Sequence, residues 1–353
     1  MIKKFKTHPQ YKHLDKMTEK NVPSIISKIS KYIDMRTKVL IGSIIALSVA
    51  LAFATPYFLT TLNFQILILS MSVLSILAMG ELLVIAGGEI DISLESLINF
   101  VSISTLLPIF WLHVDWYIAI PLALLAGAGW GAVNGFITVK FKIPSFLTTL
   151  ATLILIQGFA YIMTEYRSWS LPRGVIDQIF ANKIIGIIDT GVLWMIGIVI
   201  VTYIILNRTR FGRRVYACGG NRDGSEMIGV PVKKTKFWLF VIMGVLVTFA
   251  TLITMSRAKY ASHQIGYGYL MPTIGAPVLG GALLTGGTGS VPKTFLGSFL
   301  FTLIINGSAL IGLEPAHTYI LLGSFLLLVL SVERLRGIRV IPSLRRLRSL
   351  TSS

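Results

Sequence analysis

Apolar runs recur along this chain near the length of about 20 residues that a helix needs to cross a bilayer. They cover 39–54, 65–86, 94–112, 117–139, 146–163, 190–206, 237–255, 270–285, 294–311 and 318–332. Hydrophobic residues make up 54% of the chain and charged residues 13%, against about 25% charged in soluble domains. The expected fold is therefore an all-α polytopic membrane protein with about ten transmembrane helices, some of them broken or short. The run at 270–285 is the one most interrupted, by Pro272, Gly275, Pro277, Gly280 and Gly281. The first run ends in Ala52-Phe53-Ala54, which imitates a signal-peptidase site. A signal peptide starts with a short basic region, whereas 38 polar residues precede this run, so it reads as a retained span.

Charge orients the spans. The formal net charge is +17, but the basic residues sit in connections and tails without aromatic interleaving, which argues for membrane orientation and against nucleic acid. Ten crossings place both termini on one side. With that side cytoplasmic, 27 of the 32 basic residues lie inside, and only Arg167, Arg173, Lys183, Arg257 and Lys259 lie outside. The chain then divides into a basic cytoplasmic tail (1–38), a transmembrane domain (39–333) holding a cytoplasmic loop (207–236), and a basic cytoplasmic tail (334–353). In the last of these, Arg and Leu are spaced as in an interfacial helix. The longest external connection is 165–189. One cysteine, Cys218, reads as an inert small residue, and five scattered histidines give no metal-ligand spacing.

The loop 207–236 carries Arg208, Arg210, Arg213, Arg214, Arg222, Lys233, Lys234 and Lys236 against Asp223 and Glu226. Within it, Gly220 and Asn221 lead into a short helix. Asn221 or Asp223 is placed to cap its first turn, and Asp223 with Glu226 has capping-box spacing. Gly229 suits the left-handed conformation that ends a helix, and Pro231 stops it. One or two turns are marginal in water, so something must brace them: the flanking spans, or a partner lying on Met227 and Ile228. A basic loop resting on anionic headgroups is the alternative.

Four other stretches are candidates for chemistry. Gly88, Glu89, Asp91 and Ser93, with Glu81 before them and Glu95 after, set acids between two spans, where a buried carboxylate costs about 2.5 to 3.5 kcal/mol. An ion relay is one reading; a turn in which Asp91 caps the next helix is the other. Gly127, Gly131 and Gly135 share one helical face, as close helix packing requires. The stretch 286–294 imitates a phosphate loop, but Pro292 stands where a glycine should precede the lysine, which excludes nucleotide binding there. Gln65, Asn99, Asn134, Gln157 and Asn306 either contact a solute in a pathway or bond neighbouring helices. No nucleophile, base and orienter fall at recognisable spacing, so no catalytic residue is assigned.

With those motifs placed, the chain resembles the permease subunits of ribose-type ABC sugar importers, of the branched-chain amino acid/ribose permease superfamily. The resemblance rests on 88–94 as a version of the family's "GIDLSVGS" turn, on Asn134-Gly135, and on Lys142-Ile143-Pro144-Ser145-Phe146-Leu147-Thr148-Thr149-Leu150. It continues through 209–213, 216–221 and 228–230, and ends with Leu279-Gly280-Gly281 and Gly286-Gly287-Thr288-Gly289. Similarity covers about 62–332 in the same order. Glu89 and Glu95 depart from the small residues usual in the turn.

The resemblance implies a transport subunit of the bacterial cytoplasmic (inner) membrane that binds no cofactor itself and is no enzyme. ATP would be hydrolysed by a separate cytoplasmic ABC ATPase docked near Gly220, Asn221, Asp223, Glu226, Met227 and Gly229. A solute-binding protein would dock outside, and a second copy of the permease or a paralogue would complete the pathway. The solute would be a sugar or a similar small polar molecule, with nucleosides as an alternative. An ion-coupled secondary transporter using Glu81, Glu89, Asp91 and Glu95 is the competing reading from a different class. A receptor or scaffold that moves nothing is the third.

Overall fold

The computed structural model describes residues 34–172, 174–185 and 188–338. The tail 1–33, Arg173, residues 186–187 and the end of the carboxyl tail from 339 onward lie outside the described residues, and with them most of both expected basic tails. The bundle begins with α1 (Met35–Ala54), α2 (Thr61–Ala86), α3 (Leu94–Leu112), α4 (Trp116–Phe141) and α5 (Ser145–Thr164). The connection that follows holds β1 (Trp169–Ser170), α6 (Val175–Phe180), β2 (Lys183–Ile185) and β3 (Ile188–Asp189). Next come α7 (Thr190–Arg208), the short helices α8 (Arg210–Gly220) and α9 (Arg222–Met227), and α10 (Val232–Ala258). The chain closes with β4 (Tyr260–Ala261), α11 (Leu270–Leu279), α12 (Val291–Leu310) and α13 (Pro315–Ile338).

Eight of these helices, α1 to α5, α7, α10 and α12, are long and apolar enough to cross a membrane. α2 is the axis. Every residue from Met71 to Ala86 is buried, as an all-round apolar helix should be, and α2 touches α10, α12, α7 and α11. The most extensive helix pair is α4 with α10, and its cause is the glycine stripe. A Cβ on Gly127 would meet the Gly244 carbonyl, one on Gly131 the Phe240 carbonyl, and one on Gly135 the Phe237 carbonyl. Larger residues at those positions would hold the two backbones apart. α1 packs outside this core against α12, through Leu40, Ile44 and Leu51.

The run 270–285 is not one continuous helix. α11 spans only ten residues, about 15 Å at the α-helical rise, and Gly280 and Gly281 end it. The approach from β4 is irregular but buried at Ala261, Ser262 and His263. Ala261 pairs with Trp169 at one end of the bundle, and Gly287 donates its amide to the Ala86 carbonyl (3.0 Å) at the other. The segment 261–287 therefore runs the length of the bundle with a half-length helix inside it. Non-helical backbone at that depth is tolerated because protein surrounds it.

The connection after α5 is compact. Leu171, Ile176 and Phe180 are buried in the core, the β1–β4 pair ties it to the end of α10, and Lys259 Nζ donates to Asp177 Oδ1 at 2.6 Å. Asp189, at the start of α7, is buried, and loss of solvent raises its carboxyl above the usual range, more than Lys183 and Arg257 lower it.

Candidate functional site

Three glycine-bearing segments meet at the end of the bundle where α2 finishes and α10 begins. Gly219, in the last turn of α8, lies against the Ala86 carbonyl and the Gly287 amide, so no Cβ fits there. Gly88 (φ 78°) and Gly286 (φ 91°) are left-handed and touch each other and Gly219 through backbone atoms. Tyr216 of α8 donates its hydroxyl to the Gly289 carbonyl at 3.1 Å. The glycine-rich stretch that imitates a phosphate loop thus spends its Gly287 amide on α2 and its surface on α8. It is a packing joint between the acidic turn and the basic loop.

The acidic turn 87–93 is held by two hydroxyls of α5, an amide of α4 and a carboxylate of α2. Ser145 Oγ accepts from the Ile90 amide at 3.1 Å and Thr149 Oγ1 from the Ile92 amide at 3.1 Å, both from α5. Asp91 Oδ1 accepts from the Ser93 amide (2.9 Å) and from Ser93 Oγ (2.6 Å). Asn134 Nδ2 of α4 donates to Ser93 Oγ at 2.8 Å, and Glu81 Oε1 of α2 accepts from the Asp91 amide at 3.3 Å. The expectation that Asp91 caps the next helix is corrected here. The residue at the cap of α3 is Ser93, whose side chain makes no capping bond, and Asp91 instead closes the turn on itself.

Glu89 leaves this network and pairs with Lys236 of α10: Nζ donates to Oε1 at 2.5 Å in a buried setting. Glu95 lies on the opposite side of the turn, partly buried on α3, where Oε2 accepts from the Leu270 amide at 3.4 Å. The four acids therefore do not form one relay chain. Glu81 reaches from α2 to the Asp91 amide, Glu89 holds α10, and Glu95 faces the start of α11.

The basic loop contains two helices, not one. Thr209 Oγ1 caps α8 by accepting from the Gly212 amide at 3.1 Å. Asn221 Oδ1 caps α9 by accepting from the Gly224 amide at 2.9 Å, so Asn221 takes the role and Asp223 does not. Glu226 reaches back to Arg222 at 3.5 Å instead of closing a capping box. Gly229 is left-handed (φ 80°), and the chain leaves through Pro231 into α10. What braces the short helix is α8, since Ser225 Oγ donates to the Ala217 carbonyl at 2.8 Å. Its other face is bare: Met227 is 88% exposed and Ile228 78%. Cys218 is buried beneath, where burial pushes its thiol up, consistent with an inert residue.

The polar residues within spans are engaged with protein. Asn99 Nδ2 donates to Gln157 Oε1 (2.8 Å), Gln157 Nε2 to the His263 carbonyl (2.9 Å), and the Gly266 amide to Asn99 Oδ1 (2.7 Å). Together they hold the irregular backbone before α11. Asn306 Nδ2 donates to Asn63 Oδ1 at 2.8 Å. Asn306 also lines a cavity of about 500 Å³, shared with Tyr267, Tyr269, Thr302 and Tyr319. Sequence reasoning missed the Lys236 pair and the α5 hydroxyls, although Ser145 and Thr149 stood inside a quoted motif.

A protein-family profile described as "Branched-chain amino acid transport system / permease component" matches residues 63–330. The L-arabinose transport system permease protein of Escherichia coli (strain K12) is 32% identical over 289 residues, 82% of this chain and 87% of that protein. The ribose import permease protein of the same strain is 32% identical over 298 residues, 82% of this chain and 92% of that protein. The fructose import permease protein of Bifidobacterium longum (strain NCC 2705) is 29% identical over 272 residues, 74% and 79% of the two chains. No solved structure matches the chain.

Proposed function

This chain belongs to the family of branched-chain amino acid transport system permease components, and from that premise we propose that it is the membrane subunit of an ATP-driven importer for a sugar or similar small polar solute. The relatives named for arabinose, ribose and fructose import support that solute class. One observation carries the coupling role. α9 is capped, braced from below by α8, and presents Met227 and Ile228 to solvent, which is the surface a separate ATPase would grip. The joint of Gly219 with Ala86 and Gly287 gives a rigid path from that surface to α2 and to the broken segment before α12.

In this reading both ends of the chain face the cytoplasm. The eight long helices, the segment 261–287 and α13 make ten crossings, which keeps the basic loop inside with most of the positive charge. ATP binds to the partner ATPase, a solute-binding protein delivers the solute from outside, and a second permease copy or a paralogue completes the pathway. Asn306, with the cavity beside it, is the best placed of the span polar residues to meet the solute, while Asn99 and Gln157 hold the backbone at 263–266 and Asn134 holds the acidic turn.

Reconstitution with the ATPase and the binding protein in proteoliposomes tests this. Uptake is expected to require ATP, and Glu226→Lys or Gly229→Pro is expected to leave the protein inserted while uncoupling hydrolysis from uptake. Uptake that persists without the ATPase overturns the importer reading. Wild-type coupling in both variants removes α9 as the docking point.

A further inference from the structure

A hollow of about 260 Å³ lies where the 87–93 turn, the end of α4 and the start of α10 meet. Four cationic side chains line it, Lys142, Arg222, Lys233 and Lys236, against one carboxylate, Glu89. Glu89 is already committed to Lys236, and Arg222 to Glu226. Among the described residues neither Lys142 nor Lys233 pairs with a carboxylate. Two positive charges therefore face this hollow without compensation. From the geometry we propose that it is an anion site that takes a phosphate group.

A second observation points the same way. Thr138 of α4 lines the hollow, is 7% exposed, and its hydroxyl is buried without a hydrogen-bond partner. A helical threonine normally returns its hydroxyl to the carbonyl one turn back, as Thr149, Thr152 and Thr164 do here. Thr138 does not, and a buried unsatisfied hydroxyl is costly enough to call for a partner. Rotation of the Thr138 side chain about χ1 turns that hydroxyl to the hollow, where it donates to a phosphate oxygen, and the ammonium groups balance the anion's charge with short, charge-assisted bonds. The hollow has room for a tetrahedral anion and is too open to the basic loop to be a sealed cavity. An occupant would tie Lys142, between α4 and α5, to Lys233 on α10 and Arg222 on α9, so its presence would limit how far α9 moves against the bundle.

Free phosphate and the headgroup of an anionic lipid share this chemistry, and the test separates them. The full chain is purified in detergent and stripped of lipid. One arm titrates it calorimetrically with inorganic phosphate at constant ionic strength. The other uses native mass spectrometry to compare retention of phosphatidylglycerol and phosphatidylcholine. The variants are Lys142→Asn with Lys233→Gln, both at exposed positions, the first keeping a side chain that tolerates the left-handed backbone of Lys142 (φ 58°), and, separately, Thr138→Val. One saturable phosphate per chain identifies a free phosphate or phosphate ester as the occupant. Selective retention of phosphatidylglycerol without phosphate binding identifies a headgroup. In either case the double lysine variant is expected to weaken binding by at least about tenfold, the scale of one lost charge-assisted contact, and Thr138→Val by less. Failure of both probes to bind, or equal binding by wild type and the double variant, overturns the proposal.

Discussion

Lys236 Nζ meets Glu89 Oε1 at 2.5 Å with the two side chains only 9% and 10% exposed, which pins the start of α10 to the turn that follows α2. Removing two charges from water is expensive, and their attraction offsets that cost only while both are present. The pair therefore acts as a latch with an asymmetric penalty.

Lys236→Met leaves a buried carboxylate without its cation and is expected to destabilise the chain by about 3–5 kcal/mol. Adding Glu89→Leu removes the stranded charge and should recover most of that loss. Thermal unfolding of the detergent-purified single and double variants measures this. Additive losses in the double variant would show that the two residues do not act as a pair.

Gly131→Ala and Gly219→Ala place a methyl against the Phe240 and Ala86 carbonyls respectively. Backbone cannot give way as a side chain does, so each is expected to cost about 1–3 kcal/mol, as overpacking does. Gly129→Ala and Gly158→Ala meet nothing within 4 Å and should be neutral or slightly stabilising, since alanine favours the helix over glycine. The comparison within one set of unfolding curves separates close packing from helix propensity.

What the sequence made legible was local. The α4 stripe showed itself because three glycines four residues apart lie on one helical face whatever they pack against, and the limits of α9 because its cap and stop residues sit beside it. The partners of the acidic turn were hidden. Ser145 and Thr149 lie 55 and 57 residues from the amides they cap, and Lys236 lies 147 residues from Glu89, so no spacing rule connects them. For Asn99 and Gln157, a polar residue in a span fits either a pathway or a helix contact. The structure adds a third role, as holders of the irregular backbone at 263–266.

Asn221→Ala removes the one side-chain cap of α9 and is expected to cost about 0.5–2 kcal/mol locally, felt as faster hydrogen exchange at Gly224 and Ser225. Asn221→Asp keeps an acceptor at the same place and should preserve protection. Because α9 is six residues long and cannot hold itself together, the Ala variant should also weaken the ATPase docking proposed for this helix. Unchanged exchange would mean that the Ser225 bond to Ala217 alone holds the helix.

The last prediction concerns the start of α1. Asp34 accepts from Lys293 Nζ at 2.7 Å and from the Thr37 hydroxyl, and these contacts, the lysine foremost, lower its carboxyl from 3.8 to about 2. A carboxyl depressed on folding contributes stability above its unfolded value, and that contribution is lost as pH falls through the folded one. The unfolding temperatures of wild type and Asp34→Asn should therefore differ by a constant amount above about pH 5, with wild type higher. The gap should close as pH drops from 3.8 to about 2. It should be small, because the Asp34 side chain is 48% exposed and water and salt screen such pairs. A gap that stays constant down to pH 2 would show that the Lys293 contact does not hold α1 to α12, and that the apolar seam of Leu40, Ile44 and Leu51 alone attaches the first helix to the core.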